Sequence, residues 1–236
     1  MVPVGFSTGV LHKSNLSIID ILHMFADMGI KAVELNYLGS TEFTKLPTIL
    51  NLKPFDYVSL HAPVLPYGQK DNALVELALD RINFINKSRK LDAVVFHPDP
   101  VVDFRFFQGT GINWAVENMD RHKKYYHSPE EIWSEVAELS DIGFVFDINH
   151  ARSNGMVYIW MNVLHRQDSQ DFLRHRLKHI HLSGYENHHE PLFQTRQDGF
   201  IIFAKSLEVP IIIESVVSVA DLKKEYDYVM KVLNPT

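Results

Sequence analysis

Short apolar runs recur along the whole chain, and most are followed by a longer stretch in which apolar residues return every three or four positions. The first pattern is typical of strands buried in a parallel sheet, and the second is typical of helices that pack on one. Strands are predicted near residues 4–8, 32–37, 56–61, 92–97, 112–117, 143–147, 177–183 and 210–215. Helices are predicted near residues 16–28, 41–50, 71–90, 102–108, 128–140, 155–174, 195–207 and 218–232.

Eight strand–helix pairs without an intervening linker predict a (β/α)8 TIM barrel, which is an α/β fold. The 236 residues fit one such barrel, so residues 1–236 are expected to form a single domain. The fourth helix is predicted to be shortened, because only residues 98–111 separate the fourth strand from the fifth. An open doubly wound sheet is the rival fold, but no glycine-rich phosphate loop follows the first strand.

Six of the predicted strands carry a residue that can bind a metal ion at or just after the C-terminal end. In a parallel barrel all these ends lie on one rim, which is where such barrels carry out chemistry. One histidine at a strand end is more often structural, but six residues in the same position favour a divalent metal site, with Zn²⁺ expected and Mn²⁺, Co²⁺ or Mg²⁺ as alternatives. The chain has no cysteine, so imidazole and carboxylate groups must supply the ligands. The predicted ligands are His61, His97, Glu117, Asp147, His181 and Glu214.

The order of these residues along the chain predicts how they group. The four from Glu117 to Glu214 end consecutive strands and are predicted to converge on one ion. His61 and His97 end the two preceding strands, which places Glu117 between the two groups. Glu117 is therefore predicted to bridge two ions, which could clamp both ends of a displacement reaction. Because side chains alternate along a strand, His179 is predicted to face the interior one layer below the rim.

Several further side chains are weaker candidates for the site. His150 follows Asp147 by three positions and His189 follows the seventh strand, so either could hold a third ion or contact a substrate. His188 competes with His189 for that place, and His189 is preferred. Substrate contacts predicted on weaker grounds, for which a structural role fits equally well, are Glu34, Arg152 and His179.

The residues and their order resemble the xylose-isomerase-like TIM barrels, the superfamily that includes endonuclease IV (AP endonuclease family 2) and many sugar isomerases and epimerases. The resemblance covers essentially the whole chain, and the order of the motifs is more specific than any one of them. The strings that carry it are Leu60-His61-Ala62-Pro63, Phe96-His97-Pro98, Glu117-Asn118-Met119, Asp147-Ile148-Asn149-His150-Ala151 and His181-Leu182-Ser183, with Glu214 on the last strand.

The two branches of the superfamily imply different sites. The endonuclease IV pattern implies two or three ions, but Asn187 stands where that pattern has the aspartate of an Asp-x-His pair, which puts the third ion in doubt. The epimerase pattern implies one ion, with Glu117 and Glu214 doubling as catalytic acid and base and His150 touching the substrate. The endonuclease IV pattern matches this chain at His61, His97, Glu117, Asp147, His150, His181 and Glu214.

Charge and hydropathy limit the expected partners. A net charge of −6 opposes tight binding to nucleic acid, and the Lys123–Lys124 pair is too short to form a basic patch. No apolar run approaches the length of a membrane helix, and the N-terminus has no signal-peptide pattern, so a cytoplasmic protein without a membrane partner is expected. The oligomeric state is open, and a homo-oligomer is compatible with the sequence.

Three functions remain. The first is an isomerase or epimerase acting on a small carbohydrate or phosphorylated substrate by proton transfer between carbon and carboxylates. The second is a multi-metal phosphodiester hydrolase of endonuclease IV type, which the histidine-rich ligand set favours. The third is a metal- or sugar-binding barrel without turnover. The first is preferred, because the acidic balance, the short chain, the stunted fourth helix and Asn187 all oppose a DNA substrate.

Overall fold

The structure, a computed structural model, describes residues 2–36, 50–165 and 172–235. Eight parallel strands pair in sequence order, and the last pairs with the first to close a barrel. This confirms the predicted (β/α)8 fold. The strands are β1 Val4–Ser7, β2 Ala32–Asn36, β3 Tyr57–His61, β4 Ala93–Phe96, β5 Trp114–Glu117, β6 Gly143–Asp147, β7 Leu177–Leu182 and β8 Ile211–Ile213.

Helices surround the barrel. The predicted helix near residues 41–50 lies outside the described residues, and the one predicted near 155–174 is described as α5 and α6, which flank residues 166–171. Among the described residues, no helix is long and apolar enough to cross a bilayer. The helices are α1 Ile18–Asp27, α2 Ala73–Ser88, α3 Pro129–Val136, α4 Ile148–Ser153, α5 Val157–His165, α6 Phe172–Arg176, α7 Leu192–Thr195, α8 Asp198–Ser206 and α9 Leu222–Leu233.

Two of these helices begin at capping boxes. Ser17 accepts a hydrogen bond from the backbone N–H of Asp20, whose carboxylate accepts one from the backbone N–H of Ser17. Ser128 and Glu131 form the same reciprocal pair at the start of α3. Each box satisfies two backbone donors that a helix start would otherwise leave unpaired. The local sequence therefore fixes where these helices begin.

The fourth unit has only a single 3-10 turn, Phe104–Phe107, which confirms the predicted shortening. Aromatic rings cover the barrel wall where a longer helix would otherwise lie. The rings of Phe96 and Phe107 stack with centroids 4.0 Å apart, and Trp114 packs on Phe107 at 4.9 Å. Large aromatic rings bury enough apolar area to seal the strands behind them.

Side-chain alternation separates the barrel interior from the layer between strands and helices. Val116, Phe146 and Ile213 point outward and belong to the large core that includes the helices. Their neighbours point inward, as the strand period requires. The interior groups are Ala93, Val95, Ala115 and Val145 in one cluster and Ala32, Tyr57 and Ile212 in another.

Candidate metal centre

The six predicted ligands all lie at the C-terminal rim, at or just after the ends of β3 to β8. Their ligand atoms form two groups, and within each group the atoms lie within 4.8 Å of one another. Glu117 belongs to both groups. The first group is His61, His97 and Glu117, and the second is Glu117, Asp147, His181 and Glu214.

The carboxylate of Glu117 is divided between the two groups. Its Oε2 lies 3.1 Å from Nε2 of His61 and 3.2 Å from Nε2 of His97. Its Oε1 lies 2.6 Å from Nδ1 of His181. One oxygen thus faces each group, which is the arrangement that a carboxylate bridging two ions requires.

Asp147 joins strand β6 directly to helix α4. Its Oδ1 caps the helix by accepting the backbone N–H of His150 at 2.8 Å, which turns Oδ2 toward the other ligands. Oδ2 is buried, has no hydrogen-bond donor among the described residues, and lies 4.0 Å from Nδ1 of His181. A buried carboxylate oxygen without a donor is costly, and a cation between these atoms would satisfy it. The donor set and this orphaned oxygen therefore fit a divalent ion.

Two asparagines that the sequence analysis did not assign to the site hold its backbone in place. Asn118, next to Glu117, accepts the backbone N–H of Asp147 at 2.8 Å and donates to the Asp147 carbonyl oxygen at 2.9 Å. Asn149, on α4, donates to the carbonyl oxygens of Gly184 and His188. These bonds tie β5 to β6 and α4 to the loop after β7. In the sequence these asparagines stand one or two residues after a predicted ligand, within two of the strings that carry the resemblance.

His189, rather than His188, lies beside the candidate ligands. Its ring centroid is 6.0 Å from that of His150, and its Nδ1 lies 3.0 Å from Oγ of Ser183, whereas His188 is exposed. Burial lowers the pKa of His189 to about 4, with Asp147 opposing the shift. His189 is therefore a neutral imidazole near neutral pH. Asn187 lies in the exposed part of this loop.

Burial and charge pull the pKa values of the site residues apart. Burial would raise the pKa of Glu117, but the charge of His181 and hydrogen bonds from three histidines hold it well below its ordinary value. Burial raises the pKa of Glu214 to about 7, with His181 opposing the shift. Burial would lower the pKa of His150, but Asp147 and Glu117 raise it to about 9. The carboxylates thus favour positive charge on the imidazoles beside them, and a bound cation would meet the same attraction.

The three weaker substrate candidates occupy different places. Glu34 and His179 are fully buried and contact His181 from the layer below the ligands, where the strand alternation predicts His179. Arg152 is exposed on α4. The contacts of Glu34 and His179 favour a supporting role for these two residues.

Comparison with known proteins shows a shared fold. No family model matches the chain, and no curated protein matches it significantly. Endonuclease IV from Thermus thermophilus matches with a TM-score of 0.69 and 16% identity over 98% of each chain. The IolI protein, with a binding zinc atom, matches with a TM-score of 0.64 and 11% identity over 100% of each chain.

A third match is a different enzyme. A sugar phosphate isomerase/epimerase from Parabacteroides distasonis gives a TM-score of 0.58 and 14% identity, over 99% of this chain and 94% of that chain. Identities this low show a common architecture, and function must be argued from the site. By its fold, the chain is a (β/α)8 TIM barrel whose architecture is similar to that of these three proteins.

Proposed function

We propose that this chain is a divalent-metal-dependent hydrolase whose two-ion centre cleaves a phosphoester bond in a small substrate. The observation that carries the proposal is the division of Glu117 between two groups of ligands, with Oε2 near His61 and His97 and Oε1 near His181. A site for one ion has no need of the two histidines on the far side of Glu117. Two adjacent ions are the usual means of stabilising both the attacking and the leaving oxygen of a displacement.

The donor set fits such a pair of ions. Imidazole nitrogens and carboxylate oxygens suit Zn²⁺ and Mn²⁺, and Asp147 offers an acceptor without a donor. When bound, the ions would lower the pKa of a water molecule and neutralise charge on phosphate oxygens. The proposed ligands are His61, His97 and Glu117 for one ion and Glu117, Asp147, His181 and Glu214 for the other.

The side chains that a substrate would meet are those open to the barrel mouth. His97, His150 and Glu214 keep 13%, 11% and 14% of their side-chain surface exposed, whereas Glu117 and Asp147 keep 1%. In the proposed reaction a water oxygen bonds to phosphorus, the ester P–O bond breaks, and the departing oxygen takes up a proton. Burial would lower the pKa of His150, but the charges of Asp147 and Glu117 raise it to about 9. A protonated His150 would donate a hydrogen bond to a phosphate oxygen.

The charges around the mouth favour a small substrate over duplex DNA. Lys123 pairs with Asp99 at 2.8 Å, and Arg105 pairs with Asp103 at 2.8 Å, so neighbouring acids already neutralise these cations. The loop after β7, residues 183–191, contains no lysine or arginine. A protein that grips duplex DNA neutralises several phosphates at once, which these loops are poorly equipped to do.

An isomerase or epimerase acting on a sugar or sugar phosphate is the second candidate. The observation that favours it is the difference in pKa between Glu117 and Glu214. Burial raises the pKa of Glu214 to about 7. Burial would also raise the pKa of Glu117, but histidines hold it well below its ordinary value. Carboxylates with separated pKa values suit acid–base catalysis. The sequence alone favoured this reaction. It now ranks second, because three histidines engage both oxygens of Glu117 and leave neither free to take a proton from carbon.

One pair of assays distinguishes the two reactions. Purified protein, stripped of metal and reloaded with Zn²⁺ or Mn²⁺, is given 4-nitrophenyl phosphate and bis(4-nitrophenyl) phosphate, and nitrophenol release is followed. In parallel, aldose and ketose phosphates are incubated in D₂O, and exchange of carbon-bound hydrogen is followed by NMR. The control is Asp147→Asn, which keeps the shape of the residue and removes its charge.

The proposal expects metal-dependent nitrophenol release that Asp147→Asn abolishes. Deuterium entering a sugar carbon without ester cleavage would replace the proposal with the second candidate. Metal binding with neither activity would instead favour a barrel that binds without turnover.

A further inference from the structure

A buried polar layer lies directly beneath the candidate ligands. Glu34 on β2 and His179 on β7 have no solvent-accessible surface, and Ser59 on β3 is also fully buried. Glu34 pairs with Ser59 across the β2–β3 ladder, so both side chains face the interior at the same level. A buried carboxylate in a barrel core is costly unless its oxygens accept hydrogen bonds. Glu34 therefore needs hydrogen-bond donors among its buried neighbours.

Glu34 lies within hydrogen-bond distance of three side chains on two strands, β3 and β7. Its Oε2 lies 2.9 Å from Oγ of Ser59 and 3.2 Å from Nε2 of His179. Nε2 of His181 lies 3.1 Å from Oε1 and 3.2 Å from Oε2. The carboxylate thus contacts one hydroxyl and two imidazole groups. Through His181 it connects the buried polar layer to the proposed metal ligands.

The contacts of the two ring nitrogens of His179 determine which of them carries the hydrogen. Nδ1 of His179 lies 2.8 Å from the hydroxyl of Tyr57. An ionised carboxylate only accepts hydrogen bonds, so a neutral His179 that bonds to Glu34 carries its hydrogen on Nε2. Its Nδ1 then accepts from the hydroxyl of Tyr57, whose pKa burial raises well above its ordinary value. The Nε2 atoms of His179 and His181 lie 3.0 Å apart, and each lies 3.2 Å from Oε2 of Glu34.

The two ring nitrogens of His181 face opposite layers. Nδ1 lies 2.6 Å from Glu117, 3.6 Å from Glu214 and 4.0 Å from Asp147, all of which belong to the proposed metal centre. Nε2 faces Glu34 alone among the described carboxylates within 4.0 Å. A neutral imidazole can present a lone pair at only one nitrogen, and a hydrogen bond at the other decides which.

We propose that Glu34 is a positioning residue, which holds the hydrogen of His181 on Nε2 and so presents the Nδ1 lone pair to the metal ion. Ser59 and His179 keep the Glu34 carboxylate in place from either side. The inference rests on the proposed metal centre but not on the reaction catalysed there. Carboxylates that orient a ligating histidine in this way typically contribute about 10–100-fold to metal affinity.

Metal affinity provides the first test. Zn²⁺ binding is measured by chelator competition for the wild type, Glu34→Gln and Glu225→Gln. A glutamine at position 34 loses the negative charge, and its NH₂ group puts a donor where one of the two acceptor oxygens stood. Glu225 is the matched control, because it is also fully buried but caps the backbone N–H groups of Leu192 and Phe193 instead.

Glu34→Gln is expected to bind Zn²⁺ about 10–100-fold more weakly than the wild type, whereas Glu225→Gln should bind within about twofold of it. Wild-type affinity in Glu34→Gln would overturn the inference and leave the metal centre intact. An equal loss in both variants would also overturn it, since that loss would reflect general destabilisation. Absence of metal binding in the wild type would remove the proposed function and this inference together.

A measurement on the wild type keeps the inference testable if Glu34→Gln does not fold. The protein is labelled with ¹⁵N-histidine and loaded with ¹¹³Cd²⁺, which substitutes for Zn²⁺, and couplings between cadmium and ring nitrogens are recorded. The expected result is a coupling to Nδ1 of His181, with a hydrogen on its Nε2. A coupling to Nε2 of His181, or to either nitrogen of His179, would contradict the inference, because the buried polar layer would then bind the ion itself.

Discussion

Oε1 of Glu117 lies 2.6 Å from Nδ1 of His181, at the junction of the two ligand groups. This is the distance of a charge-assisted hydrogen bond, in which the nitrogen carries a proton. Two ligand atoms on a tetrahedral zinc ion, with bonds of about 2.0–2.1 Å, would be about 3.4 Å apart. A bound ion would therefore replace this proton and separate the two side chains slightly. Glu117 would be affected most, because it belongs to both ligand groups.

Replacing Glu117 should reduce metal binding more than replacing its neighbour His150. Glu117→Gln removes a charge that belongs to both ligand groups, whereas His150 belongs to neither group. We expect Glu117→Gln to lose most of its bound metal and its activity, and His150→Gln to keep most of its metal. Elemental analysis after dialysis, with circular dichroism as the folding control, measures the difference. Equal metal content in Glu117→Gln and the wild type would exclude a ligand role for Glu117.

Removing metal should lower thermal stability. An ion that binds only the folded chain stabilises it by about 4 kcal/mol at a free concentration a thousandfold above Kd. For a domain of this size that corresponds to a fall of roughly 10 °C in Tm on chelation. Differential scanning calorimetry with and without chelator measures the shift, and Asp147→Asn is the control that should respond much less. An identical Tm in both conditions would show that the folded site binds no ion tightly.

The proposed small-substrate preference predicts weak binding to DNA. The net charge of −6 and the paired cations Lys123 and Arg105 leave few groups to neutralise a phosphate backbone. We expect no tight binding to a duplex with one abasic site at about 0.15 M salt, and no efficient incision with Zn²⁺ or Mn²⁺. Fluorescence anisotropy and a gel cleavage assay across a salt series measure both. Efficient incision at this salt concentration would make DNA the substrate and keep the two-ion chemistry.

The aromatic rings that cover the fourth strand–helix unit should make a substitution at Phe107 strongly destabilising. Phe107 is 1% exposed and stacks on Phe96, so Phe107→Ala should lower the free energy of unfolding by about 3–5 kcal/mol. Phe84→Ala is the matched control, since Phe84 on α2 is 48% exposed and should change stability by about 0.5 kcal/mol or less. Urea denaturation compares the two. Similar losses in both variants would show that the rings do not replace the missing helix.

The sequence predicted the barrel and the six rim residues because both follow from local rules. Strand length, side-chain alternation and position at a strand end are properties of short segments, and a parallel barrel converts them into one shared rim. The helix α4 and the anchoring role of Asn149 were not predicted. They depend on Asp147 acting both as a candidate ligand and as a helix cap, which a residue pattern does not distinguish.

The buried polar layer could not be predicted for a different reason. Glu34 and His181 are 147 positions apart, and their contact requires the register of every intervening strand. Alternation placed His179 inside, but it gave no partner for the imidazole. The choice between one ion and two likewise depended on distances around Glu117 that only the folded chain provides.

The number of metal ions bound per chain distinguishes a two-ion centre from a one-ion centre. Protein stripped of metal is titrated with Zn²⁺, and bound metal is counted by elemental analysis for the wild type and His97→Gln. We expect two ions in the wild type and about one in His97→Gln, because His97 belongs only to the first ligand group. One ion in the wild type, unchanged in His97→Gln, would contradict the two-ion centre and favour the one-ion isomerase or epimerase.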